Sequence, residues 1–116
     1  MIAKKFRLHK KSDFDELAKS SYKFYSNNFV LKFVKNNQEI NCLATIVSKK
    51  ISSKAVIRNK IRRRIYEIIR LNMNSFKQGF NIIIFVKKGV LEMEYAELEK
   101  EVLYLFKKAR LINNYQ

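Results

Sequence analysis

The chain has 116 residues, 47% of them hydrophobic, with 25 Lys and Arg against 10 Asp and Glu and a formal net charge of +15. This size fits one domain over residues 1–116 with a real core, and it excludes a fully disordered basic tail or a large internal substrate cavity. A compact fold carrying such a field repels itself, and the usual compensation is a polyanion: nucleic acid first, an anionic membrane surface second.

In chain order, Ser12 reads as a helix N-cap, with Asp13, Asp15 and Glu16 in a first turn whose dipole favours acids. Phe14, Leu17 and Ala18 give that short helix one apolar stripe. A short strand is expected at Tyr22 to Tyr25 and a longer one at Phe29 to Val34. After the polar turn Lys35 to Glu39, Ile40 to Ser48 reads as the hairpin partner of that longer strand. Alternation places Phe29, Leu31 and Phe33 on one face, and Val30 and Lys32 on the other.

A helix follows from about Ser53 to Asn72, its buried stripe defined by Ile57, Ile61, Ile65, Ile68 and Ile69. Phe80 to Val86 is an apolar run of strand length, expected as a central strand. Glu94 to Arg110 closes the chain as an amphipathic helix with Leu98, Val102, Leu105, Phe106 and Ala109 inward. The order gives an α+β fold, three helices packed on a small sheet of about four strands.

Charge is concentrated. Lys49, Lys50, Lys54, Arg58, Lys60, Arg62, Arg63, Arg64 and Arg70 are all basic, and Glu67 is the one acid between Lys49 and Arg70. A solvated helix face normally mixes signs, because opposite charges at i,i+4 help and like charges hurt. Here Arg58 and Arg62 form a like-charge i,i+4 pair, as do Lys60 and Arg64. Cations in a first turn also oppose the dipole. Each penalty is about a few tenths of a kcal/mol, all of one sign, and a docked phosphate would relieve them. At about 100° per residue, Arg58, Asn59, Arg62, Arg63, Tyr66 and Arg70 fan opposite the isoleucines. Arginine there offers planar forks for phosphate or a guanine edge, and Asn59 both a donor and an acceptor. Arg64 lies nearer the apolar stripe, where its stem can cover the core edge.

The segment VSKKISSKAVIRNKIRRRIYE, Val47 to Glu67, resembles the signature of the bacterial ribonuclease P protein component family. Ser48, Lys49, Lys50, Lys54, Ala55, Val56, Arg58, Asn59 and Arg63 stand at matching positions. Arg7-Leu8 ahead of Asp13-Phe14 matches the family's start, and Phe29-Val30-Leu31 falls at its expected place. Departures are Lys60 for a usual Arg, Arg62 where Lys is common, Ser53 for a glycine and Tyr66 for a frequent Arg. Ala18 and Lys32 stand where relatives often carry aromatics, and Ile46 where they carry a small polar residue.

The resemblance implies a mixed sheet in a fold like the second domain of a small-subunit ribosomal protein, with a left-handed βαβ crossover, against the general handedness rule. It also implies a subunit that binds the catalytic RNA of ribonuclease P and helps remove the 5′ leader of precursor tRNA. Lys49, Lys50, Lys54, Arg58, Asn59, Lys60, Arg62, Arg63 and Arg70 would dock the RNA. Arg7, Phe14, Val30, Lys32 and Ser48 would line a cleft for the single-stranded leader, by stacking and phosphate contacts. For Phe14, core packing is an equally good reading. The hydrolysis would belong to the RNA subunit with magnesium, no cofactor being held by the protein alone. The partners implied are the RNA subunit and precursor tRNA, without a stable protein partner.

The residues themselves offer no protein active site. His9 is the only histidine and lies among basic residues, and the acids from Glu92 to Glu101 sit at helix-solubility spacing. Cys42, the only cysteine, can form no intramolecular disulfide and reads as a small core residue suited to a reducing cytoplasm. The basic start, Met1 to Lys11, is followed by no apolar stretch, which argues against a signal peptide. The run at Phe80 to Val86 is too short to span a bilayer, so no membrane partner is expected. Two other classes compete. A structural ribosomal RNA-binding protein of similar fold would be separated by the RNA recovered with the protein from cells. A stand-alone nuclease would cut RNA without an RNA subunit, and for that the chain lacks clustered carboxylates or histidines.

Overall fold

The computed structural model describes residues 4–19 and 22–112. The elements are α1 (Lys11–Ala18), β1 (Lys23–Tyr25), β2 (Phe29–Lys35), β3 (Cys42–Ile46), α2 (Ala55–Leu71), β4 (Phe80–Val86) and α3 (Tyr95–Lys108), with short 3-10 turns at Lys4–Phe6, Met73–Ser75 and Lys88–Glu92. The strands form one mixed sheet in the order β1-β2-β4-β3. β1 and β2 are antiparallel, β2 and β4 are antiparallel, and β3 runs parallel to β4. Three helices on a four-stranded mixed sheet is the architecture expected from the sequence.

The expected hairpin between β2 and β3 does not form. β4 lies between them, pairing along its length with β2 from Phe29↔Val86 to Lys35↔Phe80, and with β3 from Cys42↔Asn81 to Ile46↔Phe85. The cause is burial. Ile82, Ile83 and Ile84 are all buried, so β4 needs cover on both faces and partners on both edges, and only the central position supplies these. β3, α2 and β4 thus make a parallel crossover unit.

Cross-strand pairs point to the same side, so the register sorts the sheet into two faces. On one face Phe29, Leu31, Leu43, Ile82, Ile84 and Val86 meet Ile61, Ile65, Ile68 and Ile69 of α2 and Leu98, Val102, Leu105 and Phe106 of α3. Each fully buried isoleucine there contributes about 1.5–3 kcal/mol. On the other face Cys42, Ala44 and Ile83 pack against Leu8 and Leu17, with Phe14 and Val34 against them. This smaller core lies under α1.

Local signals set the helix ends. The carboxylates of Glu94 and Glu97 form a reciprocal capping box at the start of α3. Helix α1 begins one residue before the expected cap: Lys10 is its N-cap, without a side-chain bond, and Ser12 lies inside the first turn. Backbone bonds from Asp13 and Phe14 to the Lys10 carbonyl, at 3.1 and 3.3 Å, start the helix instead. At its other end the buried Lys32 ammonium donates to the Ala18 carbonyl at 3.2 Å, closing α1 from the sheet below. No described helix is long and apolar enough to cross a membrane.

Candidate nucleic-acid interface

Helix α2 starts without help. Its N-cap, Lys54, makes no side-chain cap bond, and its first turn carries no acid. The positive end of the dipole thus lies at Lys54, which follows the loop of Lys49 and Lys50, and all three lysines are exposed. Val56, on the first turn next to Lys54, is 79% exposed.

The cations of α2 divide into three groups. Arg58 and Arg62 are half-buried and tie the helix to the loop that precedes it. Arg58 Nη1 donates to the Ser52 carbonyl at 2.9 Å, and Arg62 Nη1 to Asn59 Oδ1 at 2.7 Å, with Nη2 3.5 Å from the Val47 carbonyl. Lys60 and Arg63 are exposed, and Arg64 is half-buried. Neither Lys60 nor Arg63 bonds to any described residue. Arg70 is exposed and donates twice to Glu67, at 2.7 and 3.1 Å, and this bond holds the Glu67 carboxyl below its ordinary range. That is the one ion pair among the described residues. No other described cation is in ion-pair contact with a carboxylate, and the net charge of +15 remains.

Tyr66 does not share this surface. The helical wheel set it among the arginines, but it is 7% exposed and its hydroxyl accepts the Thr45 backbone N–H at 3.2 Å. A long side chain at the boundary of the two faces can swing inward, and here it satisfies a donor on the outer edge of β3.

The second candidate region lies on the sheet face under α1. Three rows of side chains cross that face: Val34, Asn81 and Cys42; Lys32, Ile83 and Ala44; and Val30, Phe85 and Ile46. Tyr25 of β1 extends the third row through its pairing with Val30. An eight-residue helix is about 12 Å long, and α1 covers the first two rows. The third stays open: Tyr25 is 50% exposed, Phe85 and Ile46 are 36% exposed, and Val30 is half-buried. Phe14 sits at the border, half-buried against the smaller core. Three interstrand gaps make the row about 14 Å long.

The remaining cleft residues are spread around this row. Ser48 is exposed two residues beyond Ile46 and opens the loop bearing Lys49 and Lys50. Arg7 bridges Leu43 on the outer edge of β3, with its Nε buried and unpartnered. Lys32 is committed to the end of α1. Sequence reasoning missed Tyr25 and Phe85. A period-2 reading of β4 could have placed Phe85 on the face of Val30, but only the pairing of β4 with both β2 and β3 brings Tyr25, Val30, Phe85 and Ile46 into line.

His9 is exposed, with Nδ1 3.1 Å from the Arg7 carbonyl. Burial pushes the Cys42 thiol up, keeping it protonated. Among the described residues no group of three or more His, Cys, Asp or Glu is placed to hold a metal ion.

The Ribonuclease P family model matches residues 2–110. The chain is 33% identical over 108 residues to the ribonuclease P protein component of Alkaliphilus oremlandii, covering 93% of this chain and 94% of that one. It is likewise 33% identical over 109 residues to that of Fusobacterium nucleatum, covering 90% and 97%. Its fold is similar to the RNase P protein of Staphylococcus aureus, with a TM-score of 0.85 at 26% identity over 93% of this chain and 98% of that one. It is also similar to the protein from Thermotoga maritima, with a TM-score of 0.80 at 28% identity over 88% and 96%. With model, relatives and fold in agreement over nearly its whole length, the chain belongs to the ribonuclease P protein component family.

Proposed function

We propose that this ribonuclease P subunit uses two surfaces: the cations of α2 and its preceding loop dock the RNA subunit, and the open row of the sheet holds the 5′ leader of precursor tRNA. Hydrolysis of the phosphodiester is assigned to the RNA subunit with magnesium. The protein contributes positioning and charge neutralisation, and no side chain of it serves as acid, base or nucleophile.

On the docking surface, Lys49, Lys50, Lys54, Lys60 and Arg63 supply unpaired charge, while Asn59 and the first N–H groups of α2 add directional donors. Arg58 and Arg62 set the loop against the helix, so Lys49 and Lys50 approach the RNA from a fixed platform. Arg70 joins if phosphate displaces Glu67 from an exposed pair, which costs little.

One observation carries the leader assignment. The row Ile46, Phe85, Val30 and Tyr25 is left uncovered by α1, and its Ile46 end adjoins the loop of Lys49 and Lys50. A single strand leaving the docked RNA at that loop meets an apolar, part-aromatic floor with cations at its entrance, the combination that holds unpaired nucleotides. Phe14 forms the wall beside this floor.

The test is affinity of the reconstituted holoenzyme for precursor and mature tRNA. Phe85→Ala should weaken binding of the precursor by about tenfold, the worth of one lost stacking contact, and leave mature tRNA unchanged. Equal losses on both ligands would remove the leader from this face.

A further inference from the structure

On the far side of β1 from the open row lies a groove of roughly 860 Å³, bounded by the β1–β2 turn and by one stripe of α3. Tyr25 lines it and is also the last residue of the open row. The α3 stripe is Glu97, Lys100, Glu101, Tyr104 and Lys108, at helical spacing on the face turned away from the core.

We infer that this groove is a second, distal subsite for the same single-stranded leader, reached over Tyr25. This rests on the leader reading of the open row and extends it by naming where further 5′ nucleotides go.

The groove's carboxylates are already used. Glu101 accepts from the Ser26 hydroxyl and, at 2.6 and 2.8 Å, from the backbone N–H and side-chain amide of Asn28, fixing the turn. Glu97 accepts the Glu94 N–H at 2.9 Å in the capping box. Neither is ion-paired, so the groove's lysines are not neutralised by contact. Lys100 has no partner among the described residues, and Lys108 donates to the Tyr25 carbonyl at 3.1 Å.

Two exposed tyrosines carry cations. The Lys87 ammonium lies 5.9 Å from the ring of Tyr25, and that of Lys108 6.0 Å from the ring of Tyr104, which is 55% exposed. Flat rings for bases beside lysines for phosphates suit a flexible strand read without sequence preference. The turn is rigid enough to serve as a wall, since Asn28 packs so closely on Gly89 that a side chain there would collide with it.

Polarity supports the order of the two subsites. The row begins at Ile46, beside the RNA-docking loop, and ends at Tyr25, so nucleotides nearer the tRNA occupy the row and those farther out reach α3.

The experiment uses reconstituted holoenzyme with three ligands: mature tRNA, precursor with a leader long enough only to cross the row, and precursor with a leader several nucleotides longer. Wild type should bind the long-leader precursor about tenfold more tightly than the short-leader one. The variant Lys100→Ala/Tyr104→Ala should lose that increment while binding the short-leader precursor and mature tRNA as wild type does. Both residues are exposed, and a melting curve confirms that the variant folds. A photoreactive nucleotide in the distal leader should crosslink to α3 in wild type. The inference fails if the variant keeps the increment, if it loses affinity equally for all three ligands, or if wild type shows no increment. Failure of the row itself reads differently, as Phe85→Ala binding the short-leader precursor as wild type does.

Discussion

The Arg58 guanidinium donates to the Ser52 carbonyl 2.9 Å away, so a residue of the expected RNA-binding set also fastens the crossover loop to α2. Arg63, on the next turn, bonds to no described residue. Two arginines on one helix therefore differ in what their loss removes. Arg58→Ala should lower stability by about 1 kcal/mol, the net worth of such a bond, and weaken RNA binding as well. Arg63→Ala should leave melting within about 0.5 kcal/mol of wild type and weaken RNA binding alone. Parallel melting and RNA titrations check both. Identical stability in the two variants would mean that the Arg58 bond holds nothing.

Lys32 gives a second contrast. Alternation places it on the face of Val30, where the resemblance implies a leader cleft, and the structure gives its ammonium to the Ala18 carbonyl. Lys32→Ala should destabilise the free protein by about 1.5–3 kcal/mol, a bond from a charged donor being lost at a buried site. Leader affinity then falls through fraying of α1. An unchanged melting temperature with weaker, more salt-dependent precursor binding would make Lys32 a phosphate contact instead.

Tyr66→Phe keeps the ring in the core and removes only the hydroxyl that accepts the Thr45 N–H. Leaving that buried donor unmet should cost about 1–3 kcal/mol with RNA affinity preserved in the folded fraction. Chemical denaturation measures the first and titration at low temperature the second. A stable variant with weakened RNA binding would return Tyr66 to the docking surface.

The architecture was legible where the signal was local. The isoleucine spacing of α2, the apolar run of β4 and the amphipathic α3 gave those elements to within two residues. What escaped depends on contacts distant in sequence. Alternating strands joined by a short polar turn read as a hairpin, yet β4, which begins only at Phe80, takes the place between them. The basic cluster of α2 and its preceding loop was legible as composition. Its division into loop-fastening Arg58 and Arg62 and unpaired Lys60 and Arg63 was not, because it depends on where the Val47 and Ser52 carbonyls lie. The open row was invisible for the same reason: how much of the sheet α1 covers is set by docking, not by its own sequence.

Salt provides a direct check on the docking surface. Five unpaired cations, Lys49, Lys50, Lys54, Lys60 and Arg63, predict that log affinity for the RNA subunit falls with log salt at a slope of about −4, near the 0.7–0.9 released counterions expected for each phosphate. Lys60→Ala/Arg63→Ala should flatten that slope by about 1.5 without changing the melting curve.

The most direct test of the whole account is cleavage of precursor tRNA by the RNA subunit under conditions where that RNA alone is slow, with wild-type protein and with Lys60→Ala/Arg63→Ala added at equal concentration. Wild-type protein should restore cleavage, and the folded variant should do so only at higher protein concentration, in proportion to its weaker RNA affinity. Restoration by the variant at the same concentration as wild type would contradict the assignment of α2 as the docking helix.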